Sequence, residues 1–379
     1  MGGRVEPFRA IAISQLARAL EAQGRSVVHM EFGQPSTPAP AAALAAVRAG
    51  LDQAPPGYWE SLPLRERIAR HYRDSYGVEV DPGRIVLTCG ASPALLLAML
   101  TRFAPGDRIA FARPGYIAYR NTALAAHLQP VEIGCGPESR YQLTAAAIAA
   151  LDPAPAGVVL ASPANPTGTI IEPAELRAIA EVCRQRGIAL LSDEIYHGLH
   201  YTAPAHSVLQ YAPDAMVVNS FSKYYSMVDW RLGWLLVPQA QVDTVRAYAG
   251  NLFLTPPSPS QQAALVAMDC VEELEAHRAT YARNRQLLLQ ALPGLGLERI
   301  APPDGAFYVW ADVGHLTGDS LALCTRILED TGVALAPGVD FDPVDGHRFI
   351  RFSFAPATAQ IEEALRRLRP WFAARPVPA

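Results

Sequence analysis

The sequence predicts an α/β fold with a mainly parallel central sheet, and three observations favour it. Apolar runs typical of buried strands recur along the chain and alternate with segments of helical spacing. Several of these runs end in small-residue turns or polar side chains, which is the usual ligand position of open α/β sheets. The chain has 379 residues, half of them hydrophobic, which is enough for a substantial core in one large domain or two.

The bulk composition narrows the possible environments and partners. The formal net charge is -4, so charge gives no reason to expect nucleic acid or an anionic membrane as a partner. No stretch reaches the roughly 18 to 20 apolar residues of a membrane span, and the N-terminus lacks a secretory signal pattern. Five scattered cysteines show no metal-site or CxxC spacing. We expect a soluble cytoplasmic protein with reduced thiols and no metal centre.

The N-terminal part is predicted to contain two helices and a short strand. Residues 10–23 carry apolar positions at helical spacing, and residues 27–32 form an apolar run that Gly33 and Pro35 end. An alanine-rich helix is predicted for residues 40–51. Reversal of the chain explains the glycine in the turn between this strand and helix as well as a functional role would.

A strand and helix that follow frame a candidate anion site. Residues 84–89 form a strand, and the small-residue turn Gly90–Ser92 leads into an apolar helix that continues to Leu100. Such a turn exposes backbone N–H groups at a helix N-terminus, where negative charge is favoured. Many α/β turns look alike, so the motif by itself is weak.

Two further strands end in polar residues. Residues 156–162 lead into the turn Asn165–Gly168, and a helix over 174–185 precedes the strand 188–192. Asp193 ends that second strand, where burial of a carboxylate is costly unless it has a partner. The partner could be a cationic group of a ligand.

The basic residues of the chain are unevenly chosen. Of the 32 basic residues, 31 are arginine and one is lysine, Lys223, which lies just after the predicted strand 215–219 between two hydroxyl residues. Only an ammonium group can lose its proton near neutral pH and act as a nucleophile. The count alone is equally consistent with a lysine left by chance on a solvated face.

The C-terminal part shows its own alternation of elements. Helical material is predicted over 258–285, and the apolar runs 305–310, 333–338 and 349–354 are followed by a closing helix over 358–369. Strands and helices in this order predict a second, small α/β domain.

Several motifs, in consistent order along the chain, resemble the class I and II aminotransferases, which are fold-type-I pyridoxal phosphate (PLP) enzymes of the aspartate aminotransferase type. They are the turn EFGQP, the run NPTG, the strand end SDEIY, the stretch S-x-S-K with an Arg eight residues later, and the strand FIRFSFA. The resemblance implies a large three-layer α/β/α domain over 40–280. It also implies a small domain made of 1–39 and 281–379, PLP as cofactor, and a homodimer with shared active sites.

The same resemblance implies roles for individual residues at the cofactor. Lys223 would form the Schiff base and act as the base, Asp193 would face the pyridinium nitrogen, and Tyr116 would stack on the ring. Asn165 and Tyr196 would contact the phenolic oxygen. The phosphate would be held by Gly90, Ala91, Ser92, Ser220, Ser222 and Arg231, with Tyr58 reaching it from the partner subunit. From the residues alone, Tyr116 could also be an ordinary core residue and Tyr58 an aromatic packed at an interface.

The resemblance also implies the substrate contacts and the reaction. Gly33, Asn165 and Arg351 would bind the substrate, with Arg351 holding the α-carboxylate, although a lone arginine in a strand could also be a surface residue. Transamination between an L-amino acid and a 2-keto acid is the expected activity. A C-S β-lyase or a PLP-dependent amino-acid oxidase of the same fold is the alternative, and a non-catalytic effector-binding module is a third.

Substrate preference and unusual residues leave weaker signals. No basic residue lies between Arg246 and His277, and Ser92 stands where some relatives have a lysine for a distal carboxylate, which favours a neutral or aromatic amino acid. Asp229 and Asp342 stand where the family more often has glycine, and the segment after Tyr58 is a few residues short. The two aspartates are what favour the lyase or oxidase alternative.

Overall fold

The computed structural model describes residues 5–51 and 57–375. The helices are α1 (Arg9–Ala22), α2 (Ala41–Gly50), α3 (Leu62–Tyr76), α4 (Ala91–Arg102), α5 (Ile117–Ala125), α6 (Ala145–Ala149), α7 (Pro173–Arg186), α8 (Val242–Leu252), α9 (Ser258–Ala267), α10 (Val271–Ala291), α11 (Ser320–Thr331) and α12 (Thr358–Ala373). The strands are β1 (Val28–His29), β2 (Ile85–Thr88), β3 (Arg108–Arg113), β4 (Gln129–Gly134), β5 (Gly157–Ala161), β6 (Ala189–Asp193), β7 (Met216–Ser220), β8 (Gly233–Leu236), β9 (Tyr308–Asp312), β10 (Val333–Ala334), β11 (Ala336–Pro337) and β12 (Phe349–Ser353). In this part of the chain no helix is both long and apolar enough to cross a membrane.

A seven-stranded sheet organises the centre of the chain, in the order β2-β8-β7-β6-β5-β3-β4. Strands β3 to β7 pair in parallel, and β8 is antiparallel to both of its neighbours. The predicted α/β class with a mainly parallel sheet is therefore confirmed. Because the strands β5, β6 and β7 are adjacent and parallel, their carboxyl ends meet at one edge of the sheet.

Both faces of this sheet are buried. Along β5, Val158 and Leu160 belong to one apolar core and Val159 to another, because successive side chains of a strand point to opposite faces. Helix α4 supplies Leu97 to the same core as Val159, whereas Leu176 of α7 packs with Val158 on the other face. Helices thus cover the sheet on both sides, as the predicted three layers require.

The two ends of the described chain share a separate core. Strand β1 pairs in parallel with β10, and β11, β12 and β9 form an antiparallel sheet. Ile13 of α1 and Leu365 of α12 belong to one apolar cluster with Phe352 of β12. The division at residues 40 and 280 stays a prediction, and the residues 1–4, 52–56 and 376–379 that it includes lie outside the described ones.

The first strand is shorter than predicted. It ends at His29 instead of Phe32, although the ladder continues for one hydrogen bond from the Met30 amide before the backbone reaches the central cleft. There the carbonyl oxygen of Glu31 accepts a hydrogen bond from Arg351, and that of Gly33 accepts one from Lys223. Beyond Met30, two backbone carbonyl groups therefore bind predicted site residues.

Candidate active site

A cavity of about 310 Å³ lies at the carboxyl edge of the central sheet. Asn165 follows β5, Asp193 ends β6 and Lys223 follows β7, so three neighbouring strands each deliver one polar side chain to it. The predicted site residues that line this cavity are Gly33, Ala91, Ser92, Tyr116, Asn165, Asp193, Tyr196, Ser222, Lys223, Arg231 and Arg351.

Three predicted site residues do not line the cavity. Gly90 and Ser220 lie directly behind its wall: the Ser220 hydroxyl oxygen is 2.9 Å from that of Ser222 and 3.0 Å from the carbonyl oxygen of Leu232. Tyr58 lies away from the cavity, with 79% of its surface exposed. Its predicted role in a partner's site therefore stays a prediction.

Lys223 lies in a turn that points its amine into the cavity. Its Nζ donates a hydrogen bond of 2.6 Å to the carbonyl oxygen of Gly33. Burial lowers the pKa of Lys223 to about 8, the positive charges of Arg351 and Arg231 add to this effect, and the carboxylate of Asp193 opposes it. The amine is consequently available as a neutral nucleophile or base near neutral pH.

The lowered pKa of Lys223 is directly measurable, because the chain contains no second lysine. In cofactor-free protein, the pH dependence of acylation of the ε-amine is expected to have its midpoint at about 8. At pH 8 roughly half of this amine would be neutral, against about 0.4% for an ordinary lysine of pKa ~10.4. Mass spectrometry of the Lys223 peptide measures the acylated fraction.

An exposed lysine provides the control for this titration. Arg184 has 72% of its side chain exposed, so the variant Arg184→Lys supplies a second amine that should titrate near ~10.4 in the same sample. A Lys223 midpoint as high as that of the added lysine would contradict the described environment of Lys223.

Asp193 is the one acidic side chain among the described residues that line the cavity. It is 7% exposed; its Oδ2 accepts a hydrogen bond of 2.7 Å from the Tyr119 hydroxyl and its Oδ1 one of 3.2 Å from the Ile195 amide. Burial raises the pKa of Asp193, while these two hydrogen bonds and the charge of Lys223 oppose the rise. A cationic ligand group beside Asp193 would stabilise its ionised form further.

The end of the cavity beside the N-terminus of α4 is suited to an anion. Helix α4 starts at Ala91 with no side-chain cap, so its first N–H groups and its positive dipole end face the cavity. Gly90 permits this approach: its φ is 103°, and a Cβ there would lie 2.5 Å from Nη2 of Arg231. Arg231 donates to the carbonyl oxygens of Val228 and Cys89 and not to a carboxylate, so its charge is left for a ligand.

Arg351 is a buried cation, with 2% of its surface exposed. Nη1 donates to Oδ1 of Asn165 at 2.7 Å and Nη2 to the carbonyl oxygen of Glu31, while Nε has no partner in the described structure. The guanidinium carbon lies 4.3 Å from the ring centre of Tyr308 and 4.6 Å from that of Phe341. A planar cation held rigidly without a carboxylate is arranged to receive one from a ligand.

Two tyrosines that line the cavity are in contact through their hydroxyl groups. The hydroxyl oxygens of Tyr196 and Tyr308 lie 2.7 Å apart, and burial raises the pKa of both phenols, so both are protonated near neutral pH. A Cβ at position 33 would collide with the Tyr308 hydroxyl, which explains why Gly33 is needed at this turn.

Sequence reasoning missed several residues that shape the cavity. Tyr119 holds Asp193, and Tyr308 contacts Arg351 and Tyr196, but neither stood out in the sequence. Tyr119 lies three residues after Tyr116, the spacing that places two side chains on one helix face, which is the signal that could have found it. Further lining residues that were not predicted are Phe8, Phe32, Gln34, Leu95, Ile195 and Val228.

The two unusual acids have structural explanations away from the reacting groups. Asp229 is exposed and lies outside the cavity lining. Asp342 is 4% exposed, accepts hydrogen bonds from the amides of Val344 and Asp345, and lies 3.6 Å from Nε of Arg113. Neither acid, therefore, adds a charge to the cavity.

Comparison with known proteins agrees with this geometry. A family model described as aminotransferase class I and II matches residues 26–368. Valine–pyruvate aminotransferase of Mycobacterium tuberculosis is 48% identical over 374 residues, covering 97% of this chain and 96% of that protein. Aspartate/prephenate aminotransferase of Thermus thermophilus is 31% identical over 375 residues, covering 96% and 95%.

Solved structures show the same fold. An aminotransferase from Mycobacterium tuberculosis matches with a TM-score of 0.95 at 46% identity, covering 98% of each chain. The aspartate aminotransferase of Thermus thermophilus with maleate matches with a TM-score of 0.91 at 30% identity, covering 97% of each chain. The chain therefore belongs to the class I and II aminotransferases, enzymes of fold type I that transfer an amino group between an amino acid and a keto acid.

Proposed function

We propose that this aminotransferase binds PLP in the described cavity and transfers the amino group of a neutral L-amino acid. The observation that carries the proposal is the charge arrangement of the cavity. Among its described lining residues are three cations, Lys223, Arg231 and Arg351, and a single carboxylate, Asp193. PLP would match three of these groups, with its phosphate at Arg231, its ring nitrogen at Asp193 and its aldehyde at Lys223, and the α-carboxylate of the substrate would match Arg351.

The residues would divide the cofactor between them. Arg231, Ser222 and the N-terminus of α4 would bind the phosphate, Tyr116 would lie against the ring, and Asp193 would hold the ring nitrogen protonated. When bound, PLP supplies an electron sink that stabilises negative charge at the substrate Cα. In this arrangement Nζ of Lys223 would carry the cofactor and then move the proton from Cα.

Arg351 would orient the substrate. Its fork would bind the α-carboxylate, and its stacking between Tyr308 and Phe341 would keep that carboxylate in one position. Asn165, which accepts from Nη1 of Arg351, would keep the guanidinium in register with the cofactor oxygen. A fixed carboxylate lets the Cα–H bond be held in one orientation toward Lys223, which accelerates proton transfer.

The lining favours a substrate with a neutral side chain. The three cations are each used by the cofactor or by the α-carboxylate, so none of the described lining residues remains for a second, distal carboxylate. Leaving such a carboxylate unpaired in a partly buried site costs several kcal/mol. The relative named valine–pyruvate aminotransferase supports valine as donor and pyruvate as acceptor.

A panel of donors tests the proposed specificity. With purified protein, PLP and pyruvate, we expect kcat/KM for valine to exceed that for aspartate by at least about 100-fold, because aspartate would bury an unpaired charge. Keto acid formation is measured by mass spectrometry. A better rate with aspartate than with valine, alanine or phenylalanine would overturn the neutral-donor proposal.

A homodimer would complete the site. Tyr58 and Leu254 line a shallow surface groove, and both are exposed apolar residues, as are Leu252 and Tyr248 nearby in the sequence. A second subunit placed on this face would cover them and could bring its own Tyr58 toward the phosphate end of the cavity.

We further propose the domain division at residues 40 and 280, with the cavity between the two bodies, and a cytoplasmic location.

A further inference from the structure

Two phenylalanines line the cavity, and their contacts place them at the Arg351 end. Phe8 and Phe32 both line it, with their ring centres 6.4 Å apart. Phe8 also packs edge-to-face on Phe341 at 6.2 Å, and Phe341 itself lies against the Arg351 guanidinium. The ring of Phe341 therefore connects Phe8 to the guanidinium that is proposed to bind the substrate α-carboxylate. The apolar lining residues beside the start of α4, by contrast, lie at the opposite end of the cavity, near Arg231.

Phe8 is held in place by a carboxylate that is distant in sequence. It occupies the N-cap position of α1 and has no capping side chain. Asp340 caps the helix instead, because its Oδ1 accepts from the Arg9 amide at 2.7 Å and its Oδ2 from the Ala10 amide at 2.8 Å. Asp340 is 1% exposed, and a carboxylate is buried so fully only where hydrogen bonds stabilise it.

Asp340 also connects α1 to the carboxylate site. It directly precedes Phe341, the residue that stacks on Arg351. The segment Gly338–Asp340 thus fixes the start of α1 and one face of the Arg351 guanidinium together. A shift of this segment would move Phe8 and Arg351 relative to each other.

We propose that Phe8 limits the size of the substrate side chain, so that the enzyme selects short aliphatic amino acids over aromatic ones, and that Asp340 is the positioning residue that holds Phe8. This inference rests on the proposed function and narrows its substrate class. A cavity of about 310 Å³ is at the lower end of small-molecule sites, which span roughly 300–1,000 Å³, so cofactor and substrate leave little spare room.

Truncation of Phe8 tests the size limit. Single-turnover formation of keto acid by the PLP-loaded enzyme, with valine or phenylalanine as the only amino acid, gives a rate ratio that does not depend on the acceptor. We expect wild type to favour valine by at least about 10-fold, and Phe8→Ala to raise the phenylalanine-to-valine ratio by about 10- to 100-fold. Phe8→Leu should give an intermediate ratio, and it tests the same point if Phe8→Ala does not fold.

Asp340→Asn tests the positioning of Phe8 separately from the size of its side chain. The substitution keeps the shape of the side chain but weakens its hydrogen bonds to the first amides of α1. We therefore expect the phenylalanine-to-valine ratio to rise about 3- to 10-fold while Phe8 itself is intact. Asp319→Asn is the matched control, because Asp319 caps α11 through the amides of Leu321 and Ala322 and does not line the cavity. It should leave the ratio at the wild-type value.

The possible outcomes distinguish a failure of this inference from a failure of the proposed function on which it rests. If no amino acid yields keto acid, the proposed function fails and the inference fails with it. If wild type turns over valine but Phe8→Ala and Phe8→Leu leave the ratio within about twofold, the size limit alone is overturned. If Asp319→Asn shifts the ratio as much as Asp340→Asn, the positioning role of Asp340 is overturned.

Discussion

Lys223→Arg is expected to abolish transamination, with kcat reduced by more than about 10⁴-fold. A guanidinium stays protonated at every accessible pH, so it can neither attack an aldehyde nor accept a proton from Cα. General-base catalysis by itself contributes about 10²- to 10⁴-fold, and loss of the nucleophile adds to that. Because Lys223 is the chain's one lysine, no other ε-amine can replace it.

Controls separate this chemical loss from damage to the fold. Lys223→Arg keeps the positive charge at the position that donates to the Gly33 carbonyl oxygen, so thermal unfolding should change little. Arg184→Lys makes the reverse exchange on the exposed surface and should leave kcat unchanged. Turnover by Lys223→Arg at more than a few per cent of wild type would refute the assignment of the catalytic amine.

Asp193→Asn is expected to lower kcat by about 10³-fold with a much smaller change in stability. The amide oxygen of the asparagine can still accept from the Ile195 amide, and its NH2 group can donate to the Tyr119 hydroxyl oxygen, so the local structure should persist. What it loses is the negative charge that would hold the ring nitrogen of the cofactor protonated. Loss of one preorganised electrostatic contact typically costs about 10²- to 10³-fold, and here the whole electron sink depends on it.

A second strand-ending aspartate provides the comparison. Asp312 ends β9 as Asp193 ends β6, each is 7% exposed, and Asp312 accepts from Arg348 at 2.7 Å without lining the cavity. Asp312→Asn should therefore reduce stability by about 1.5 to 3 kcal/mol and leave kcat near wild type. Equal losses of kcat in the two variants would mean that Asp193 acts only through the fold.

The sequence was sufficient for the features that depend on local pattern. Alternating apolar runs and helical segments predicted the α/β class, because burial on both faces makes each parallel strand a continuous apolar run. Asp193 could be found because a carboxylate at the end of such a run needs a partner. Lys223 could be found because its chemistry differs from that of the 31 arginines. The ordered motifs then supplied the family, which the comparisons confirm.

The features that depend on long-range contacts could not be predicted. Tyr119 donates to a carboxylate 74 positions away, and Asp340 caps a helix that begins 331 positions earlier. Nothing in the local sequence of either residue indicates its partner, since the contact exists only after the domains have folded. Arg351 shows the same difficulty: its alternation in β12 predicts a polar face, whereas the structure buries it between two aromatic rings.

The alternative reactions differ from transamination in the fate of the amino nitrogen. In transamination the nitrogen passes to the keto acid, whereas elimination or oxidation releases it as ammonia. The cavity contains no described group that favours release, because Asp229 and Asp342 lie outside its lining. The position of these two acids removes the reason for preferring a lyase or an oxidase.

Transfer of label from ¹⁵N-valine to pyruvate tests the central claim most directly, with wild type and Lys223→Arg measured side by side. The account predicts that wild type forms ¹⁵N-alanine in equal amount to the keto acid derived from valine, and that Lys223→Arg forms neither. Recovery of the label as ammonia, or ¹⁵N-alanine formed at the same rate by both proteins, would contradict it.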